Sequence, residues 1–145
     1  MALSVEDRLA VAELIALHGH LVDEGQLARM AEVFTENVVY DLSDVGQGQV
    51  SGLASLTDAA LARGPANPVA HHVTNVVVAE RPDGQVQARS KGLAVMADGT
   101  CGSVTYDDTV VRGDGGWRIS YRKVSARRVP LGGLGREQDQ PPVSA

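Results

Sequence analysis

The part of this chain that follows Val69 is cut by turn signals into four segments of similar length, and that spacing leaves little freedom in how it can fold. Pro82-Asp83-Gly84, Ala97-Asp98-Gly99 and Gly113-Asp114-Gly115-Gly116 each gather residues that favour tight turns. Strands are expected at about 69–80, 85–97, 101–112 and 116–128, joined as an antiparallel meander. The first, VAHHVTNVVVAE, is rich in β-branched residues and carries two adjacent histidines near its start. Side chains alternate along a strand, so His71, Val73, Asn75 and Val77 are placed on one face, and His72, Thr74, Val76 and Val78 on the other. Only one histidine can then face a given cavity. The same alternation puts Arg118, Ser120 and Arg122 opposite Trp117, Ile119 and Tyr121.

The residues before Val69 follow helical spacing. Ser4 and Asp7 form a capping-box pattern ahead of a stripe of Val11, Leu14, Ile15, His18 and Val22, which predicts a helix from near Val5 to about Asp23 with His18 on its buried side. Gly25 breaks it. A second short helix is expected through Leu27, Met30, Val33 and Phe34 to near Glu36, followed by a strand at Asn37–Ser43. Gly46-Gln47-Gly48 reads as an irregular connection or lid, and Leu53–Arg63 as a further helix stopped by Gly64-Pro65. Helices followed by a run of strands give an α+β class: a curled antiparallel sheet capped by N-terminal helices, a cone-shaped α+β barrel over 1–129 that encloses a pocket for a small molecule. Residues 130–145 are rich in Gly, Pro, Gln and Ser and are expected to form a flexible tail.

Bulk properties narrow the partners. A chain of 145 residues is long enough for one hydrophobic core. A net charge of −5, with basic residues scattered apart from a cluster at Arg118–Arg128, argues against nucleic acid. Cys101 stands alone, so no intrachain disulfide is possible; with no leader-like start, a cytoplasmic protein is expected. The most apolar run, near Val73–Ala79, is far shorter than the ~20 residues of a membrane span. No glycine-rich loop precedes a helix, and His18, His71 and Asp23 are the only candidates for a metal site, so neither cofactor nor metal is expected.

Three motifs add a family likeness: Asp23 just ahead of the second helix, His71-x-x-x-Asn75 at the strand start, and Tyr106-x-Asp108 before Arg112-Gly-x-x-Gly-Trp-Arg-Ile119. Over roughly residues 4–128 the chain resembles the SnoaL-like branch of the nuclear-transport-factor-2-like superfamily. Within that branch it is similar to scytalone dehydratase, bile-acid 7α-dehydratase, hexachlorocyclohexane dehydrochlorinase and the SnoaL-type polyketide cyclases. The likeness implies a cofactor-free His–Asp pair made by His71 and Asp23, and it places His18 where the eliminating enzymes carry Tyr or Lys. It also implies association as a homodimer or homotrimer.

The residue chemistry agrees with such a pair. Histidine accepts a proton near neutrality, and a carboxylate on its other ring nitrogen fixes the tautomer. Arg122, Tyr40 or His18 can steady a developing negative charge, and Asn75, Tyr40 and Tyr106 can contact substrate. Several have a structural alternative: His71 as a hydrogen-bonded structural histidine, Asp23 as a helix-terminal acid, Asn75 as a partner of nearby backbone, and Tyr106 and Asp108 as part of a sheet network on the strand face they share with Arg112, with Asp107 also read as structural. His18 and Asp23 are also five residues apart, about 140° round an ideal helix, which asks for a distorted helix end if both face one pocket. The expected function is a cofactor-independent lyase or isomerase, a dehydratase or cyclase, acting on a hydrophobic oxygenated ring such as a polyketide or terpenoid. The alternatives are a non-catalytic ligand-binding or assembly subunit and an epoxide-opening enzyme, for which Asp23 and Asp108 would supply carboxylates.

Overall fold

In the computed structural model, which describes residues 2–135, a helix α1 (Val5–Asp23) lies within a curled, unclosed sheet of six strands. The strands are β1 (Phe34–Asp41), β2 (Gln49–Ser51), β3 (Ala70–Glu80), β4 (Val86–Val95), β5 (Cys101–Gly113) and β6 (Gly116–Ala126). A second helix, α2 (Leu53–Arg63), joins β2 to β3. The sheet order is β2-β1-β6-β5-β4-β3. Among the described residues no helix is long and apolar enough to cross a membrane.

The four-strand meander is present and antiparallel throughout, with Ala70 opposite Val95, Val86 opposite Val110 and Gly113 opposite Gly116. Two strands extend it: β1 pairs parallel with β6, and β2 pairs antiparallel with β1. The second helix expected from the sequence is only a 3-10 segment at Leu27–Glu32. Phe34 already belongs to β1, opposite Ile119, so sheet pairing overrides the helical spacing of Leu27, Met30, Val33 and Phe34. Gly46-Gln47-Gly48 is irregular as expected, and β2, which follows it, was not foreseen; it is three residues long, with left-handed glycines Gly48 and Gly52 at its ends. Pro130–Gly133 forms a 3-10 turn, and the rest of the expected tail from residue 136 lies outside the described residues.

Two register shifts decide which side chains face α1. In β3 the shift lies between Thr74 and Val77, and Asn75 takes φ 56°, a left-handed conformation that Asn tolerates better than most residues. The inward phase therefore runs His71, Val73, then Val76 and Val78, while Asn75 and Val77 are exposed. In β6 one extra residue, Ser120, brings Ile119 and Arg122 to the same buried side.

The core joins Val11, Leu14, Ile15 and Leu21 of α1 to Phe34, Val38 and Tyr40 of β1, Ala88 of β4, Tyr106 of β5, and Ile119 and Val124 of β6. The capping box at Ser4 and Asp7 forms. Asp7 does more than cap, because it also accepts hydrogen bonds from Trp117 Nε1 at 3.1 Å and Arg112 at 2.8 Å, which ties the start of α1 to the β5–β6 turn. Arg112 is thus structural, as is Asp107 in its exposed pair with Arg89.

Candidate active site

The site begins where α1 crosses the start of β3. Gly19 makes the crossing close: a Cβ there would stand 2.7 Å from the His71 carbonyl oxygen. Asp23 lies one turn further along the same side of the helix and meets His71 twice. Its Oδ1 is 2.6 Å from His71 Nδ1, and its Oδ2 accepts the His71 backbone N–H at 2.8 Å. The carboxylate thus fixes both the ring and the strand that carries it. The pair is sheltered but reachable, with the His71 side chain 15% and Asp23 23% exposed.

His18 needs no distorted helix end to join them. It sits about 100° round the helix from Gly19, on the side facing the sheet interior, 6.2 Å ring to ring from His71. The edges of Phe34 and Tyr106 pack against it at 5.5 and 6.3 Å. Beneath lies Arg122, whose Nε and Nη2 donate to the two oxygens of Asp108 at 2.7 and 2.8 Å and whose Nη1 lies 3.1 Å from His18 Nδ1. The guanidinium stacks on Tyr106, 4.1 Å from the ring centroid, with Tyr40 and Phe34 at 5.8 and 5.6 Å. Arg122 and Asp108 side chains are wholly buried. Arg122 therefore cannot touch a ligand directly, contrary to one of the roles its sequence position suggested.

Burial sets the protonation states here. Desolvation, reinforced by Arg122 and His71, holds the His18 ring well below its ordinary value of 6.5, so it is neutral. Burial raises both Tyr40 and Tyr106, which keep their protons. For Arg122, burial acts to lower the value, but the bonded Asp108 carboxylate outweighs it and the guanidinium stays charged.

The His18 shift has a measurable consequence. The unfolded chain takes up a proton near pH 6.5 that the folded protein refuses, so stability falls as pH drops below about 6.5, by at most about 1.4 kcal/mol per pH unit. Urea titrations should give a loss of about 1 kcal/mol between about pH 7 and about pH 5.5, and a smaller loss in His18→Gln, whose amide oxygen can still accept from Arg122.

Of the residues singled out in the sequence, His71, Asp23, His18, Arg122, Tyr40 and Tyr106 come together, whereas Asn75 does not. The β3 bulge turns Asn75 outward, where Thr74 Oγ1 donates to its side-chain oxygen at 2.7 Å. No three-donor metal cluster forms among the described residues. Three residues have roles in the site that composition and spacing do not reveal. Asp108 is one; Gly19 is the second. Gly92 is the third, since a Cβ there would fall 2.7 Å from the Cζ and hydroxyl of Tyr106. Gly19→Ala should push α1 from β3, lower stability by about 1–3 kcal/mol in urea titration, and loosen the Asp23–His71 contacts, read as a change in the His71 ring resonances by NMR.

A helix held in a curled six-strand sheet, with a His–Asp pair at one end of its interior, defines a cone-shaped α+β protein of the nuclear-transport-factor-2-like class. The SnoaL-like domain pattern matches residues 3–123, and the chain belongs to that family. No curated protein sequence matches it. Among solved structures it is similar to a nuclear-transport-factor-2-like protein with a cystatin-like fold from Novosphingobium aromaticivorans, with 26% identity, a TM-score of 0.72, and coverage of 94% of this chain and 90% of that one. A candidate aromatic ring hydroxylase from the same organism shares 27% identity at a TM-score of 0.69, covering 88% and 94%. A candidate scytalone dehydratase, also from that organism, shares the fold at 18% identity and a TM-score of 0.68, covering 86% and 89%.

Proposed function

We propose that this protein is a cofactor-independent lyase or isomerase of the dehydratase or cyclase type, acting on a small hydrophobic oxygenated ring compound such as a polyketide or terpenoid. The observation that carries this reading is the double hold of Asp23 on His71. With Nδ1–H donated to the carboxylate, Nε2 keeps its lone pair and can act as a base. His71 removes a proton from carbon beside a carbonyl, and neutral donors in the interior hold the oxygen that becomes negative. From that enolate the proton can return to another carbon, a hydroxyl can leave with it, or the carbon can attack a second carbonyl. The rings of Phe34, Tyr40 and Tyr106 packed around His18 make the interior next to the pair apolar, which suits a hydrophobic substrate.

Exchange of α-protons in D2O tests the step shared by all three outcomes. With 1-tetralone as the probe, 1H NMR should show protein-dependent loss of the α-proton signal in wild type and none in His71→Ala. Equal exchange in the two proteins would remove the reading.

The sheet face away from α1 carries a groove of about 340 Å³ bordered by Val77, Gln87, Arg89, Asp107, Tyr121 and Lys123. It lies apart from the His71–Asp23 pair. Val77 is 65% and Leu93 40% exposed, which favours association of copies as a homodimer or homotrimer.

A further inference from the structure

We propose that His18 is a catalytic hydrogen-bond donor working as a neutral imidazole, offering its Nε2–H to the substrate oxygen that turns negative, and that Arg122 and Asp108 are positioning residues holding it in that tautomer. This rests on the His71–Asp23 reading and names the other half of the same site.

The tautomer follows from inventory. A guanidinium has five N–H donors and no acceptor, so the 3.1 Å contact from Arg122 Nη1 requires a lone pair on His18 Nδ1. The ring proton is then on Nε2. Arg122 cannot turn away, because its Nε and Nη2 are bound by both oxygens of Asp108 and its plane lies on the Tyr106 ring. A second proton on His18 would set an imidazolium N–H against a guanidinium N–H inside the core. Nε2 is also unengaged. The buried side-chain polar atoms without a partner among the described residues are Thr35 Oγ1 and Ser90 Oγ alone, whereas His18 Nε2 bonds to no described residue. His18 as a whole is 5% exposed.

The ring spacing of 6.2 Å between His18 and His71 lets one small carbonyl compound reach both. His71 Nε2 takes the α-proton; the C–H electron pair becomes the enolate C=C; the carbonyl π pair moves onto oxygen, which accepts the His18 Nε2–H. A neutral imidazole is too weak an acid to hand over that proton, so it stabilises the oxygen by hydrogen bonding alone. The proton held by His71 is the one available to return to carbon.

Two-bond 1H–15N NMR of the resting protein at neutral pH should give His18 as the Nε2–H tautomer. 1-Naphthol, the aromatic counterpart of the 1-tetralone enol, should shift that Nε2–H resonance, and His18→Phe should weaken its binding about tenfold, the loss of one hydrogen bond. In Arg122→Met/Asp108→Leu, where apolar side chains replace the ion pair, His18 should show mixed tautomers and a similar loss of 1-naphthol affinity. Arg122→Lys, which keeps a charged donor group but not the planar fork, should restore part of both. An Nδ1–H or doubly protonated His18 in wild type overturns the proposal, as does 1-naphthol binding that is absent or unchanged in His18→Phe. Failure of the His71–Asp23 reading looks different: 1-tetralone shows no exchange, yet 1-naphthol still shifts the His18 Nε2–H. Should the double variant not fold, the wild-type tautomer and the His18→Phe comparison decide.

Discussion

Arg122→Met alone is expected to lower the free energy of unfolding by about 3–5 kcal/mol, a large fraction of the about 5–15 kcal/mol that holds a domain folded. The loss comes less from the bonds removed than from what remains. Asp108 would be left as an uncompensated carboxylate with a wholly buried side chain, and His18 Nδ1 would lose its donor. Arg122→Met/Asp108→Leu removes that charge and should stand within about 1–2 kcal/mol of wild type, because a buried ion pair rarely outperforms well-packed apolar groups of similar volume. Urea titrations of wild type, both single variants and the double variant give the coupling between the two residues. A single variant no worse than the double would mean that water or another group already compensates Asp108. The expected pattern carries a further consequence. If the pair adds little net stability, its retention in the core is explained by what it does for His18.

The fold was legible from Val69 onward because turn chemistry and β-branched runs set strand ends independently of tertiary contacts; the observed β3 to β6 lie within about two residues of the expected limits. The family likeness paired His71 with Asp23, and the two side chains meet at 2.6 Å. What the sequence hid was produced by single-residue insertions in strands. Counting back from the Gly113–Gly116 turn sets Asp108 opposite Tyr121, and only the bulge at Ser120 moves it opposite Arg122. A slip of one residue exchanges faces, so Arg122 read as a pocket-facing group is instead a buried one. The same error misplaced Asn75. Gly19 and Gly92 carried no signal of their own, since the need for a missing Cβ depends on His71 and Tyr106, which are remote in sequence. The parallel docking of β1 on β6 was equally silent, because the spacing of residues 27 to 34 satisfies a helix until Phe34 finds Ile119.

Asp23→Asn is expected to abolish α-proton exchange almost as completely as His71→Ala, each by about 10²–10⁴-fold, with the double variant no worse than either. An amide appears conservative here, yet the geometry makes it the opposite. Asp23 accepts two hydrogen bonds at once, from the His71 backbone N–H at 2.8 Å and from Nδ1 at 2.6 Å. An asparagine has one acceptor oxygen. If that oxygen keeps the backbone N–H, its NH2 faces the ring and demands a lone pair on Nδ1, which moves the proton to Nε2 and leaves no base toward the substrate. If the oxygen turns to the ring, the backbone N–H loses its partner and the negative charge that steadies the imidazolium is still gone. Urea titration should find Asp23→Asn close to wild type in stability, and two-bond 1H–15N NMR should find the His71 ring as Nε2–H, so that the lost exchange is traced to the tautomer and not to unfolding. Exchange retained within about threefold, with the wild-type tautomer intact, would mean that Asp23 only anchors the strand. His71 would then be a polar wall of a binding pocket, and the chain a carrier or assembly subunit of its family, not an enzyme.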